Sequence, residues 1–333
     1  MKKKELEELK RVSAKRNYYT TVDSGRIFLF ALIVPFLVGL LFCYVSLAIT
    51  HTSKIDELFQ NNLWFAIPMT LLTQVCFIVI YFVYNKTMRV SFSASRFSIK
   101  KAKPTMALMS VFVGIFVVFG FILLIEGVFG NFFHAIGVKS SSLALPNDTV
   151  GWLFINILLL GVIPPICEEL LFRGAIFGGL RERFSATSSI FLSALLFALM
   201  HQSLTQFIYP FIMGVLLAFV MEKTGNLLYT ILIHMFNNIL TVVINFLIAT
   251  GALKWSFIGM AWWVYVLAIV VALVACAVLF VIYKFYLCKQ QKIEVEKEGE
   301  AIQPLGMNIG KMPLTLFIGM CVALAIIIVN VVS

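Results

Sequence analysis

Charged residues are scarce in this 333-residue sequence. Only 13% of the residues are Asp, Glu, Lys or Arg, whereas 61% are hydrophobic and 32 are Phe. A soluble domain of this size could not bury that much apolar surface, so the composition excludes a soluble globular protein and indicates that lipid is the solvent. The six cysteines lie in or at the edge of apolar segments and lack metal-type spacing, which argues against structural disulfides and a Cys-based zinc site.

A basic stripe with interleaved aromatic residues, as nucleic-acid binding requires, is also lacking. The formal net charge is +10, but the Lys and Arg residues lie between apolar runs. The sequence therefore predicts no nucleic-acid partner, and the basic residues become indicators of membrane topology.

Long apolar runs predict the architecture, because a helix needs roughly 20 apolar residues to cross a bilayer core about 30 Å thick. The runs are 27–50, 63–85, 105–128, 150–172, 187–203, 205–222, 226–250, 258–287 and 313–332. Helices are the structure with which an open chain crosses lipid. We therefore predict an all-α, polytopic transmembrane bundle of about nine spans, and the basic loops place its N-terminus in the cytoplasm.

The runs divide the chain into four predicted parts. These are a basic cytoplasmic tail at 1–26, three spans within 27–128, a membrane core at 150–250, and two spans within 251–333 with a charged cytoplasmic loop at 284–312. The tail is too charged for a cleaved signal peptide, so we expect it to be retained against anionic lipid. The predicted location is a cell membrane, and the compact loops and Lys-rich tail favour a bacterial plasma membrane.

Ionisable side chains within membrane spans are costly unless they are paired or solvated, so each is a candidate functional residue. Glu169 and Arg173 are four residues apart, share a helix face and can form an ion pair. Glu168 points about 100° away and has no partner on its own helix, which suits a general base or acid. The alternative is that both acids are solvated at the cytoplasmic edge of the membrane.

Two more polar groups follow in later spans. His201 ends the apolar run that contains Phe197, while His234 and Asn238 share one helix face. Each also has a structural interpretation, because a histidine at a helix end can bond backbone carbonyls and polar side chains often bond between membrane helices. Together with Glu168, however, these residues offer a base for water and donors for an oxyanion, which hydrolysis requires.

The three groups resemble the ordered motifs of the CAAX protease and bacteriocin-processing family, which includes the type II CAAX prenyl endopeptidases. The motifs here are Glu168-Glu169-x-x-x-Arg173, Phe197-x-x-x-His201 and His234-x-x-x-Asn238. The resemblance implies an intramembrane endopeptidase that cleaves a membrane-anchored peptide or CAAX-like substrate in a cavity open to the cytosol and the lipid.

The resemblance also implies a role for each matching residue. Glu168 would be the general base and His201 its partner in holding the water. His234 and Asn238 would stabilise the oxyanion, while Glu169, Arg173 and Phe197 would support the site.

Other functions and a metal stay open from the sequence. Glu168, His201 and His234 could supply three ligands to a divalent metal such as zinc. The zinc-protease signature His-Glu-x-x-His is absent, and an amide among the motif residues suits an oxyanion hole better, so the prediction favours no cofactor. The alternatives to a protease are a proton- or cation-coupled transporter and a non-catalytic bacteriocin-immunity or scaffold protein.

The depth of the site residues is a difficulty for this interpretation. If the helix ends near Arg173, Glu168 lies about 7 Å from that end, whereas His201 lies about 21 Å from Thr187, at 1.5 Å per residue. We therefore expect either a shallow hairpin of 187–203 and 205–222 or a helix 174–186 that starts outside the membrane plane.

Overall fold

The computed structural model describes residues 15–51, 54–99, 103–104, 145–253 and 312–332, with isolated positions between 108 and 114 and between 263 and 281. Regular structure in these residues is helical, apart from one isolated bridge between Arg16 and Val90. The predicted all-α class is confirmed for this part of the chain.

The described helices vary in length and in their capacity to span a bilayer. They are α1 (Thr21–Thr50), α2 (Ile55–Asn61), α3 (Leu63–Thr87), α4 (Val150–Leu180), α5 (Ala186–Met200), α6 (Ile208–Thr224), α7 (Leu227–Ala249) and α8 (Leu314–Val332), with a 3-10 turn at Phe92–Ser95. Helices α1, α3, α4 and α7 are long and apolar enough to cross a membrane. The predicted spans 105–128 and 258–287 lie largely outside the described residues, so the count of nine and the cytoplasmic N-terminus stay predictions.

Helix α4 continues about two turns beyond the apolar run 150–172, and this corrects the expected depth mismatch. It ends at Leu180, and residues 174–180 belong to it instead of starting a separate helix. Glu168 is thus twelve residues from the end of α4, and His201 is fifteen residues from the start of α5. At 1.5 Å per residue, Glu168 lies about 18 Å and His201 about 22 Å from the same side of the bundle, so the two residues lie at similar depths.

Helices α5 and α6 form the expected short hairpin. They contain 15 and 17 residues, or about 22 and 25 Å, which is less than a bilayer core about 30 Å thick. Their close packing depends on Gly214 of α6, where a Cβ would lie 2.8 Å from the Cα of Ala194. The hairpin packs against α4, α7 and α1.

Helix α4 is not a uniform α-helix. Ile157–Val162 and Leu170–Phe177 are π-helical and flank the α-helical segment Ile163–Glu169. Pro164 and Pro165 near the start of that segment cannot donate to the helical hydrogen-bond ladder. Since π-helical turns are frequent at functional sites, the turn that begins directly after Glu169 indicates a functional role for this part of α4.

The N-terminal end of α1 is anchored to the end of α4. Thr20 and Asp23 form a capping box, in which the Asp23 N–H donates to the Thr20 hydroxyl at 3.2 Å and the Thr20 N–H donates to the Asp23 carboxylate at 2.7 Å. The hydroxyl of Ser24 donates to the carbonyl of Ile176 on α4 at 2.8 Å. Because capping fixes the start of a helix, α1 begins six residues before the apolar run.

Gly179 is the residue at which this junction is tightest, and it allows a test. A Cβ at Gly179 would overlap with the Ser24 hydroxyl and the Thr20 carbonyl. We expect Gly179→Ala to destabilise the protein by about 1–3 kcal/mol, the usual cost of overpacking, seen as a lower Tm in detergent. Gly151→Ala, also in α4, is the control, because its Cβ would meet nothing closer than 3.9 Å. Equal Tm values for the two variants would contradict the described junction.

Candidate active site

A fully buried ion pair between Glu169 and Arg173 lies at the centre of the site. Arg173 Nη1 donates to Glu169 Oε1 at 2.8 Å, and Nη2 donates to the carbonyl of Gly214 on α6 at 3.2 Å. The guanidinium carbon lies 4.4 Å from the ring centroid of Phe197 on α5, a cation–π contact. The ion pair that the spacing predicts is therefore present, and the alternative of two solvated acids is wrong for Glu169.

His234 on α7 links this ion pair to Glu168. Its Nδ1 lies 3.0 Å from Glu169 Oε1, and its Nε2 lies 3.8 Å from Glu168 Oε2. An ionised carboxylate only accepts hydrogen bonds, so Nδ1 carries a hydrogen and donates to Glu169. The other ring nitrogen, Nε2, is the one directed at Glu168.

His201 follows the last residue of α5 and is oriented by its own helix. Its Nδ1 lies 2.9 Å from the carbonyl oxygen of Phe197. Because a carbonyl oxygen only accepts, Nδ1 is the donor, and in the neutral ring Nε2 is then an acceptor. The Phe197 ring packs edge-on against both imidazoles, with centroid distances of 5.0 Å to His201 and 5.8 Å to His234. One aromatic ring thus fixes the two histidines relative to Arg173.

Glu168 is the more accessible of the two acids. Its side chain is 14% exposed, whereas that of Glu169 is 0% exposed. Its Oε1 accepts a hydrogen bond from Nε2 of Gln74 on α3 at 3.3 Å. Glu168 therefore lacks a partner on its own helix, as predicted, but has polar neighbours on α3 and α7.

Asn238 lies one turn beyond His234 on α7, yet its hydrogen bonds lead elsewhere. Its Nδ2 donates to the carbonyl of Leu160 on α4 at 3.2 Å, and its Oδ1 accepts from Asn237 at 3.1 Å. In the described part of the chain neither bond reaches Glu168. The structure thus brings the other predicted site residues together and ties Asn238 to the neighbouring backbone.

Sequence reasoning missed Gln74, because it started from ionisable side chains within spans and considered an amide only at Asn238, beside His234. The available signal was an uncharged amide in the middle of the apolar run 63–85. An amide there needs a polar partner as much as a charge does. The described partner is Glu168.

A cleft of about 340 Å³ opens beside His201, between α1, α3 and the end of α5. Pro35, Gly39 and Met69 contribute to its apolar wall, while Thr73 and His201 contribute polar groups. This volume is within the range of about 300–1,000 Å³ that ligand sites occupy. The cleft could therefore hold an apolar segment of a ligand, with a polar group of that ligand near His201.

The residues fit a bound metal poorly. The two histidines direct Nδ1 at a carboxylate and a carbonyl, as metal-ligating histidines do. However, in the ranges that the structure describes, no three His, Cys, Asp or Glu side chains converge as a metal site would require. The predicted alternative ligand set of Glu168, His201 and His234 is thus not assembled around a single point.

The buried ion pair makes a testable prediction. Arg173→Met leaves the Glu169 carboxylate without its charged partner, and breaking a buried pair costs about 3–5 kcal/mol. The double variant Glu169→Gln with Arg173→Met removes both charges and should lose less stability than the two single variants summed. Unfolding of the purified protein in detergent would measure the three changes. Additive losses would show that the two side chains are not coupled.

Three comparisons relate the site to known proteins. Residues 150–240 match the family model described as Type II CAAX prenyl endopeptidase Rce1-like. The UPF0177 protein YxdF of Lactococcus lactis subsp. lactis (strain IL1403) is 34% identical over 77 residues, which are 23% of this chain and 42% of that protein. The Bacillus subtilis (strain 168) protein named Putative membrane peptidase YdiL is 25% identical over 123 residues, which are 36% of this chain and 50% of that protein.

The chain spans half or less of the length of these relatives. No solved structure matches it. The family match contains all three motifs in order, and the buried ion pair and the two histidines lie within it. The match to this family model therefore supports the predicted resemblance of residues 150–240 to the CAAX protease and bacteriocin-processing family.

Proposed function

We propose that the protein is an intramembrane endopeptidase that hydrolyses a peptide bond of a membrane-anchored peptide or CAAX-like substrate. The observation that carries this proposal is that His201 and His234 pack on the same Phe197 ring, with Glu168 facing His234 and His201 lining a cleft in an apolar helical bundle. Such a combination of a carboxylate and two imidazoles within a bundle supports hydrolysis more directly than structural packing.

In the proposed reaction, Glu168 acts as the general base. Its carboxylate takes a proton from a water molecule while the water oxygen attacks the peptide carbonyl carbon. His201 Nε2 accepts the second hydrogen of the same water and so orients its lone pair. Glu168 then passes its proton to the leaving amine nitrogen, which yields a free carboxyl and a free amine.

The negative charge on the carbonyl oxygen needs donors at the moment of attack. His234 in its protonated form donates from Nε2, because Nδ1–H is already held by Glu169. Asn238 Nδ2 carries two hydrogens, one of which is bound to Leu160, so the second is the donor to the oxyanion. Asn238 therefore keeps its proposed role despite its backbone contact.

The setting of the reaction is also a proposal. Nine spans with a cytoplasmic N-terminus in a bacterial plasma membrane fit the positions of the basic loops. The substrate enters from the lipid through the cleft between α1 and α3, whose wall is apolar. The name of the Bacillus subtilis relative describes a membrane peptidase, which supports a membrane-anchored peptide as the substrate here.

Replacement of the proposed base tests this function. Glu168→Gln should abolish cleavage, at a loss of at least about 100-fold, because an amide cannot accept the proton of water. Mass spectrometry of membrane peptides from cells with the intact protein and with Glu168→Gln would identify the products. Glu57→Gln is the control, since Glu57 is exposed and its described partner is the surface residue Lys54.

The outcome also separates the alternative functions. Unchanged peptides in the Glu168→Gln cells would contradict a protease. Proton-coupled flux in proteoliposomes that depends on Glu168 would then favour the transporter, and absence of both activities would favour a non-catalytic scaffold.

Removal of metal tests the proposed mechanism separately. Because Glu168 and His201 activate the water directly in this proposal, cleavage of the identified peptide should persist after EDTA treatment and dialysis. Loss of cleavage on chelation, with recovery on addition of zinc, would instead require metal-activated water.

A further inference from the structure

Gln74 lies on α3, outside the residues 150–240 that match the family. It is nevertheless the described side chain that hydrogen-bonds to Glu168, through Nε2 and Oε1 at 3.3 Å. Its neighbour Thr73 contributes to the wall of the cleft. Gln74 therefore contacts the proposed general base from the helix that also contributes to the cleft.

The chemistry of the contact fixes the orientation of the amide. An ionised carboxylate can only accept, so the NH₂ group of Gln74 must face Glu168. The carbonyl oxygen, Oε1, then points away, and it is buried without a hydrogen-bond partner among the described residues. A buried acceptor without a partner destabilises the fold.

This cost argues against a purely structural role. An apolar side chain of similar size at position 74 would pack in the same helix and would remove the unpaired oxygen atom. A polar residue that lowers stability and touches a proposed catalytic group is typical of functional sites.

We infer that Gln74 is a positioning residue that holds the carboxylate of Glu168 in place through its amide group. This inference rests on the proposed function for its catalytic consequence. The contact itself can be measured without any substrate.

Several titratable or charged groups surround Glu168 and enter the test. His234 faces it from α7 at 3.8 Å. The remaining site groups on the packed helices are Glu169 and Arg173 of α4 and His201 after α5. A variant at position 74 leaves all of them unchanged, so a difference in the carboxylate band of Glu168 reports the amide.

Infrared difference spectroscopy of the full-length protein in liposomes tests the inference. The carboxylate band of Glu168 is identified by its absence in Glu168→Gln. Gln74→Met keeps the volume but removes the hydrogen-bond donor, so the frequency of this band should shift. Thr70→Val is the matched control on α3, because the Thr70 hydroxyl bonds to the Ala66 carbonyl of its own helix.

Gln74→Glu is a second variant of the same volume, in case the Met variant folds poorly. It replaces the amide donor with a second carboxyl group beside Glu168, so the frequency of the Glu168 band should shift in this variant as well. In addition, Gln74→Met should leave Tm unchanged or raise it, while kcat falls about ten-fold with little change in KM. A structural role would lower Tm instead.

The possible results separate this inference from the proposed function. If Glu168→Gln abolishes peptide cleavage but the Glu168 band has the same frequency in wild type, Gln74→Met and Gln74→Glu, this inference is wrong and the protease stands. If the band moves in both variants while cleavage never depends on Glu168, the contact is confirmed and the protease is wrong.

Discussion

The charged guanidinium of Arg173 lies at the centre of an apolar bundle, where the desolvation cost of a charge without a partner would strongly destabilise the fold. Its ion pair with Glu169 solves this problem, and the remaining contacts of the pair connect the helices. Arg173 reaches the Gly214 carbonyl on α6 and the Phe197 ring on α5, and Glu169 reaches His234 on α7. Four helices thus converge on two charges, and both histidines take their positions from this centre.

Close approach of the helices makes this convergence possible. Gly214 lets α6 approach Ala194 on α5, and Gly161 lets α4 approach Ile239 on α7, where a Cβ would lie 2.8 Å from its side chain. Small residues are a usual means of packing membrane helices, because apolar side chains gain little by leaving lipid. The glycines therefore serve the site indirectly, by bringing backbones near enough for short polar side chains to meet.

The sequence predicted the parts of the site that depend on helical spacing, and it failed where tertiary contacts decide. Glu169 and Arg173 could be paired from their separation of four residues. The end of α4 could not be predicted, because a charged residue usually marks the edge of a membrane span. Here the charged residue Arg173 is instead buried by partners on other helices. The role of Gln74 was not predicted for a similar reason, since Gln74 and its partner Glu168 are 94 residues apart in the sequence.

The buried ion pair and the accessible acid have different roles in the proposed chemistry. Glu169 of the pair holds His234 in position, and Glu168 takes a proton from the attacking water. Hydrolysis of a peptide in heavy-oxygen water is the most direct measurement of this claim. Purified protein in liposomes should place a single heavy oxygen atom in the new terminal carboxyl of the N-terminal product, and the incorporation should vanish with Glu168→Gln. Cleavage without label, or label that persists in the variant, would contradict water activation by Glu168.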